Sequence, residues 1–499
     1  MQIEWKEKEL RCLQEQAVDV IYQEETSEFI VPDIYPDAAK VVEVTAVCCQ
    51  RDQEVRSGLM SVSGSFQTTV VFLSEDGEET CVQNVFLPFA VRMTAEEITD
   101  GAVGHAEVRV RSADARILNS RKLMVRVSYA ARLAVYAPYA LKSRSYDGGG
   151  KVQLLQTEEQ QYVPVAAAEK TVTFSEPIQL PQQDAPVQKL IRVRPSLRCR
   201  EQRLTEGRAV WQGTMDLSAL CLLQNGQAAI SSIELPVSQF LDMDTEQEEA
   251  SLRIIPVLTE FRMEEDASGA YLLTAGIRYQ AMAWGILPVS VIRDGYCIGA
   301  DFQAEYEQVI LRNRAGEPKE TVQAEIALRE IPHKALDCAV WVDFPVCRRG
   351  EDEIAVGTSV SAQTLCCDEN GHLCGETVRA DVSCSFPAGK DTVCYADAEP
   401  AGDPSYRLSE KKVLAPLQFS VRCMEEQTLQ TLCGAQIGEV EKKRENVPSL
   451  TVRRIPAGEQ LWDVAKKAET TVQAVREANG LENDLLKEGM LLLIPSACE

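Results

Sequence analysis

Residues 62–79 read VSGSFQTTVVFLSEDGEE, and 149 residues further along the chain residues 211–228 read WQGTMDLSALCLLQNGQA. Each stretch runs through an apolar segment into a turn where glycine, Gly77 or Gly226, takes the position that needs a positive φ. Two such segments at a fixed separation indicate an internal repeat built around a β-hairpin.

The same separation recurs across residues 1–436. Four residues of the first copy recur 149 positions later in the second. They are Pro32 with Pro181, Gly58 with Gly207, Gly64 with Gly213 and Gly77 with Gly226. Two further pairs recur within one residue of that separation, namely Pro88 with Pro236 and Tyr129 with Tyr279. A third copy is weaker and starts with IPHKALDCAVWVDFPV at Ile331, with Gly357 and Gly371 in the glycine positions. We therefore expect three related modules.

Apolar and polar residues alternate within the copies, for example over residues 42–46, 108–110 and 125–129. This is the period of a sheet with one solvated face, so the sequence predicts a mainly β chain of tandem β-sandwich-like modules. Breaks at SYDGGG (145–150) and at Asp294-Gly295-Tyr296 give modules at residues 1–145, 151–294 and 297–436. The polar residues 437–448 are predicted to be a linker.

The last module, residues 449–496, has a different pattern. Its sequence from Leu450 to Pro495 is LTVRRIPAGEQLWDVAKKAETTVQAVREANGLENDLLKEGMLLLIP. A β-branched run is followed by two short stretches of helical periodicity, and a second apolar run precedes Pro495. Asn479-Gly480 is the expected left-handed end of the second helix. The sequence thus predicts a small βααβ domain.

This segment resembles the LysM family. The residues that carry the resemblance are, in order, G-x-x-L-W-x-x-A (458–465), T-T-V (470–472), N-G-L (479–481) and E-G-M-x-L-x-I-P (488–495). The resemblance implies binding of N-acetylglucosamine-containing glycans beside the first helix. The family's Gly-Asp-Thr turn is Gly458-Glu459-Gln460 here, and the usual aromatic of the first strand is missing. A protein ligand, a glycan ligand and a spacer role therefore all stay open.

The candidate binding residues lie around the first helix and the end of the second. They are Leu450, Gly458, Glu459, Gln460, Leu461, Trp462, Asn479 and Gly480. Consecutive residues of a helix diverge by about 100°, so Leu461 and Trp462 cannot both be buried in so small a domain. We expect one of them to reach the surface as an interface anchor. Leu450 and Trp462 are expected to border one face.

Composition excludes several classes of function. The 499-residue chain carries a formal charge of −25, which argues against nucleic acid and against an anionic membrane surface as partners. No run approaches the roughly 18 apolar residues of a membrane span, and the opening MQIEWKEKEL lacks the apolar core of a signal peptide. We expect a cytoplasmic protein without membrane insertion.

No motif of catalysis, cofactor binding or metal binding stands out. The chain lacks a phosphate-loop sequence, a G-x-S-x-G elbow and any Cys-x-x-Cys pair, so we expect no enzyme, cofactor or metal site. Its 17 cysteines are interpreted as buried, reduced thiols. One cysteine cluster leaves room for metal or redox chemistry, and it comprises Cys366, Cys367, Cys374, Cys384 and Cys394. His105 is expected at the surface, at the start of a strand.

The repeats resemble the SPOCS domain of endospore-forming bacteria, whose opening pattern stands at Val31-Pro32-Asp33 through Pro36-Asp37. Several SPOCS copies followed by one LysM domain are similar to the SipL-type family of spore morphogenetic proteins. The resemblance implies a scaffold in the mother-cell cytoplasm, at the forespore and spore coat surface. Its implied partners are the morphogenetic ATPase SpoIVA and other coat proteins. The alternatives are a peptidoglycan-binding or cortex-glycan-binding protein and a glycan-processing enzyme.

Overall fold

A computed structural model describes residues 5–75, 79–146, 150–181, 183–245, 247, 249–265, 270–440 and 449–496. Strands account for 75% of the chain and helices for 4%. The helices lie near the C-terminus, in the predicted βααβ domain. The prediction of a mainly β chain that ends in this small domain is therefore confirmed.

The first six strands form two antiparallel sheets that face each other. Their bounds are β1 Lys6–Ile30, β2 Ala38–Arg56, β3 Leu59–Ser74, β4 Thr80–Thr94, β5 Val103–Asn119 and β6 Lys122–Ser145. The orders are β1-β6-β5 and β2-β3-β4. Phe66 and Phe89 of one sheet pack on Tyr129 of the other, at centroid distances of 4.9 and 5.6 Å. Alternation along each strand thus buries one face of each sheet.

The next six strands repeat this arrangement. They are β7 Val152–Ile178, β8 Val187–Thr205, β9 Arg208–Leu223, β10 Ala228–Asp242, β11 Ser251–Glu265 and β12 Tyr271–Cys297. The orders β7-β12-β11 and β8-β9-β10 match those of the first six strands. The chain turns after β12 at Gly299, whose φ is +70°. Asp294-Gly295-Tyr296 therefore lies within the end of β12 rather than in the turn.

In the third sandwich, several of the strands that correspond to those of the first two are interrupted. Its strands are β13 Ala300–Gly316, β14 Lys319–Ala327, β15 Lys334–Val342, β16 Val346–Arg349, β17 Glu353–Cys367, β18 Leu373–Pro387, β19 Thr392–Pro400, β20 Ser405–Arg407 and β21 Lys412–Val440. β17 pairs with β15, β16 and β18. β21 pairs with β13, β14, β19 and β20. A short 3-10 turn, Leu408–Glu410, precedes β21.

Several predicted breaks meet the edges of the described residues. The first four residues of the predicted linker, 437–440, belong to β21, and residues 441–448 lie outside the described residues. Gly148 and Gly149 of the first break and Gly77 of the first hairpin turn lie outside them as well. Gly226 and Gly371 of the later hairpin turns have φ of +81° and +85°, as turn chemistry predicts.

The recurring glycines Gly64 and Gly213 have a shared steric reason. Each lies on the central strand of its sheet, opposite a bulge in the neighbouring strand, at Cys49/Asp52 or at Cys199/Glu201. A Cβ on Gly64 would overlap the carbonyl oxygen of Cys49, and a Cβ on Gly213 that of Arg198. Only glycine allows the bulged strand to come this close.

The three sandwiches meet around a buried ion cluster with one member from each. Arg192 of β8 is 0% exposed, and its guanidinium donates to Glu43 of β2 at 2.9 Å and to Asp337 of β15 at 2.6 Å. The three residues occupy matching places, because each stands opposite a residue 28 positions later on its central strand, namely Val71, Leu220 and Leu365. Those three apolar residues belong to one core cluster. The three sandwiches therefore contribute equivalent positions of their repeat to this junction.

A second ion cluster also joins all three sandwiches. Asp397 of β19 is 1% exposed and accepts from Arg109 at 2.8 Å, from Arg132 at 2.9 Å and from Arg253 of β11. Arg109 and Arg132 also contact Glu107, at 2.6 and 2.7 Å. Burial alone would raise the pKa of Glu107, but Arg109, Arg132 and Arg253 lower it to about 2. The Glu107 carboxylate is thus held ionised by the arginines around it.

His105 is buried at the same junction, so its predicted surface position is wrong. Its side chain is 8% exposed, with the ring 6.2 Å from that of Tyr136. The second sandwich covers this part of β5, where Gln280 hydrogen-bonds both the amide and the carbonyl of Ala106 at 2.8 Å. Burial, with the nearby charge of Arg253, lowers the pKa of His105 to about 4. The imidazole is therefore neutral at pH 7.

Arg192→Met is expected to lower the free energy of unfolding by about 3–5 kcal/mol, because Glu43 stays buried without its cation and Asp337 loses the closer of its arginines. Urea unfolding followed by circular dichroism measures the loss. The triple replacement of Glu43, Arg192 and Asp337 by Leu, Met and Leu should regain most of it. Arg262→Met, at an exposed arginine of β11, is the control and should cost about 0.5 kcal/mol or less. An unchanged Arg192→Met protein would contradict the role of this cluster.

Acid should weaken the junction through His105. Its folded pKa of about 4 lies below the ordinary 6.5, so its contribution is intact above pH 6.5. As the pH falls from 6.5 to 4, only the unfolded chain takes up this proton, and stability drops by about 3 kcal/mol. His105→Phe cannot titrate, and carboxylates common to both proteins cancel in the comparison. Parallel urea titrations at pH 7.5 and 4.5 should show the smaller drop in the variant, and equal drops would refute the assignment.

Candidate functional site

The C-terminal domain is a two-stranded sheet with two helices on one face. Its elements are β22 Leu450–Arg454, α1 Leu461–Lys467, α2 Val472–Asn479 and β23 Leu491–Pro495. Leu461 is 1% exposed and packs with Val464, Val475 and Leu492 in the domain core. Thr471 caps α2, since its hydroxyl accepts from the amide of Ala474 at 2.9 Å. Leu461, one of the candidate binding residues, therefore contributes to folding.

In the turn before α1, the space beside the glycine is free, whereas the glutamate is held by ion pairs. Gly458 has φ +79°, and no atom lies within 4 Å of the position that a Cβ would take. Glu459 accepts from Arg453 and Lys467 at 2.9 Å each, and the bond from Lys467 is the main cause of its lowered pKa. Gln460 is exposed and precedes α1 without capping it. This turn is therefore held by the ion pairs of Glu459.

Asn479 and Gly480 hold the end of α2 against the sheet. The Asn479 amide donates to the carbonyl of Leu493 at 2.6 Å and accepts from the amide of the same residue at 2.7 Å. Gly480 ends the helix in the left-handed conformation, at φ +60°. Asn479 thus satisfies backbone groups on the outer edge of β23, which is a structural role.

The sheet face that points away from the helices is apolar and exposed. Strand alternation places Leu450 and Val452 on this face of β22, and Leu491 and Leu493 on this face of β23. Val452, 59% exposed, stands directly opposite Leu493. We call these four side chains the outer sheet face. An apolar surface of this kind, rimmed by Arg454, is a typical interaction surface.

Trp462 contacts the second sandwich rather than open solvent. Its indole N–H donates to Asp294 Oδ2 at 2.8 Å, and its ring meets that of Tyr296 edge-on with centroids 5.0 Å apart. Lys466 Nζ lies 2.7 Å from both oxygens of Asp294. The Tyr296 hydroxyl donates to the carbonyl of Thr470 at 2.7 Å. The first helix is therefore seated on the end of β12.

The expectation that Leu450 and Trp462 border one face is wrong. The helices cover one side of the β22–β23 sheet, and Leu450 points to the other side. The seat residues Asp294 and Tyr296 were missed from the sequence. Acidic residues beside glycine are ordinary turn chemistry, and nothing in their spacing indicates a contact 168 positions away.

A metal site needs several His, Cys, Asp or Glu side chains close together, and the cysteine cluster noted in the sequence lies in the part of the chain that is described. There, no group of three or more His, Cys, Asp or Glu side chains is placed to hold a metal ion. Of the five clustered cysteines, Cys366 and Cys374 stand opposite each other, while Cys394 stands opposite Cys423. Among those residues, no helix is long and apolar enough to cross a membrane.

Comparison with known families identifies the C-terminal domain. The model of the LysM domain matches residues 454–495, so the chain carries a LysM domain and the resemblance of its C-terminal segment to LysM is confirmed. No curated protein and no solved structure gives a significant match to the chain. A LysM domain indicates binding of peptidoglycan or of other N-acetylglucosamine-containing glycans.

Lys466→Ala should loosen the seat of α1, because Asp294 loses its cation while Trp462 keeps one hydrogen bond. Hydrogen exchange followed by mass spectrometry should show faster exchange in residues 461–470, by about tenfold for an opening made about 1.4 kcal/mol easier. The neighbouring Lys467→Ala is the matched control, since the ion pair of Lys467 is with Glu459 of the same domain. Equal exchange in both variants would show that the Asp294 contacts do not hold the helix.

Proposed function

We propose that this protein is a non-enzymatic scaffold that binds a partner protein through its LysM domain. The observation that carries the proposal is the outer sheet face, an apolar surface left open while the helices of the same domain are seated on β12. The three sandwiches share two buried ion clusters, so they offer a body against which the domain keeps one orientation. A scaffold needs both a stable platform and an accessible surface.

The partner proposed is the spore morphogenetic ATPase SpoIVA, with other coat proteins around it, at the forespore surface in the mother-cell cytoplasm. This part rests on the resemblance of the repeats to SPOCS domains. Charge supports a protein partner, because residues 449–496 hold six Lys and Arg against seven Asp and Glu within a chain of net charge −25. The LysM domain can therefore approach an acidic protein with little long-range repulsion.

Peptidoglycan binding is the second candidate, and the LysM match favours it. The open space above Gly458 would let a sugar approach the backbone of the turn. Two features weigh against this role. Glu459 is held by Arg453 and Lys467, and Trp462 is engaged with Asp294, so neither side chain is free to meet a glycan.

Leu450→Arg and Val452→Glu should each weaken binding to purified SpoIVA about 30- to 1000-fold, the cost of losing an apolar anchor and introducing a charge. Surface plasmon resonance with the full chain measures the affinity. Leu485→Arg is the control, because Leu485 is 79% exposed in the same domain but outside the sheet. Undiminished binding by both sheet variants, with unchanged circular dichroism, would exclude the outer sheet face.

The glycan candidate is tested at the turn instead. Cosedimentation with insoluble peptidoglycan should be unaffected by Leu450→Arg and strengthened several-fold by Gln460→Thr, which returns the family's small residue to the turn. Retention of the wild-type chain by peptidoglycan, abolished by Gly458→Val, would favour the glycan role over the protein scaffold. The substitution at Gly458 both fills the open space and strains a backbone at positive φ.

A further inference from the structure

Two thiols of the third sandwich face each other across paired strands. Cys394 of β19 stands directly opposite Cys423 of β21, and their sulfur atoms are 3.3 Å apart. Directly opposed residues of an antiparallel pair have Cα atoms about 4.5–5.5 Å apart, within the range of about 4.4–6.8 Å that a disulfide spans. The paired strands therefore place the two residues within the separation that a disulfide spans.

The pair has a third thiol beside it. Cys347 of β16 is exposed, and its charge is among the causes that raise the pKa of Cys394. Cys423 is 5% exposed, whereas Cys394 is half-buried. The solvent exposure of the thiols thus decreases from Cys347 through Cys394 to Cys423. A small oxidant arriving from solvent therefore reaches Cys394 before Cys423.

We propose that Cys394 and Cys423 are a redox-sensitive pair that closes to a disulfide under oxidation and locks β19 onto β21. The oxidant is a low-molecular-weight disulfide of the glutathione class. The Cys394 thiolate attacks it and releases one small thiol, and Cys423 then displaces the second. Two protein thiols and one small disulfide become one protein disulfide and two small thiols, so two electrons and two protons pass to the small molecule.

Reactivity should be slow at neutral pH. Burial, followed by the neighbouring Cys423 and Cys347, raises the pKa of Cys394 to about 12, which leaves little thiolate at pH 7. Because the thiolate is the attacking form, the rate should rise about tenfold for each unit by which the pH is raised, as long as the pH stays below that pKa. The pair would therefore respond to sustained oxidation rather than to brief exposure.

Disulfide formation would also affect the ion cluster around Asp397, because this residue lies on β19. Asp397, three residues after Cys394, accepts from Arg109 and Arg132 of the first sandwich and Arg253 of the second. Among the described residues, the nine-residue strand β19 pairs with β21. A covalent bond to β21 would fix the strand that joins the three sandwiches.

The test treats the reduced full chain with oxidised glutathione at pH 9 and maps disulfides by mass spectrometry after alkylation. We expect a linked peptide pair containing Cys394 and Cys423, with a loss of about 2 Da, and no such product in Cys394→Ser or Cys423→Ser. Hydrogen exchange in residues 392–400 should slow about tenfold in the oxidised wild type and not in either variant.

Cys433→Ser is the matched control, because Cys433 lies on the same strand but its sulfur contacts the carbonyl of Glu305. It should form the bond at the wild-type rate. The proposal is overturned if the linked pair is absent, if oxidation stops at a glutathione adduct on Cys347, or if Cys366 joins Cys374 instead. A bond that forms without slowing exchange in β19 would overturn the proposed lock.

Discussion

The buried ion clusters at the junction are the constraint on which the rest of the structure depends. Removing charges from water is expensive, and it is tolerated only where several partners meet each ion. Arg192 has both Glu43 and Asp337, and Asp397 has three arginines. Because each cluster takes members from all three sandwiches, no single sandwich can satisfy them. The modules therefore reach low energy only as an assembled set.

The matching positions of Glu43, Arg192 and Asp337 suggest how such a junction is built from repeats. Three copies of one charged residue at this junction would repel each other. Here two copies are acidic and one is basic, and Arg194 adds a second cation at 3.0 Å from Asp337. Sequence divergence at one repeated position thus turns three similar modules into a specific, closed arrangement. The apolar neighbours Val71, Leu220 and Leu365 pack together in one buried cluster.

The LysM domain at the end of the chain is also held by contacts between residues that are distant in sequence. Its first helix is attached to β12 through Asp294 and Tyr296, so only part of its surface is available to a ligand. Trp462 and Asn479 were the most suggestive candidates in the sequence. In the structure, Trp462 takes part in this attachment, and Asn479 hydrogen-bonds the domain's own sheet. The outer sheet face, of which the sequence pointed only to Leu450, is what stays open.

Local sequence patterns were enough to predict the secondary-structure elements. Strand alternation, turn glycines and helix ends depend on residues close in the chain, and so the mainly β class, the two LysM helices and the left-handed end at Gly480 could be predicted. The tertiary structure alone decided which surfaces are inside. His105 and Trp462 are covered by residues more than a hundred positions away, Gln280 beside the one and Asp294 against the other. Burial is a property of the assembled molecule, because any surface of one module becomes interior when another module packs on it.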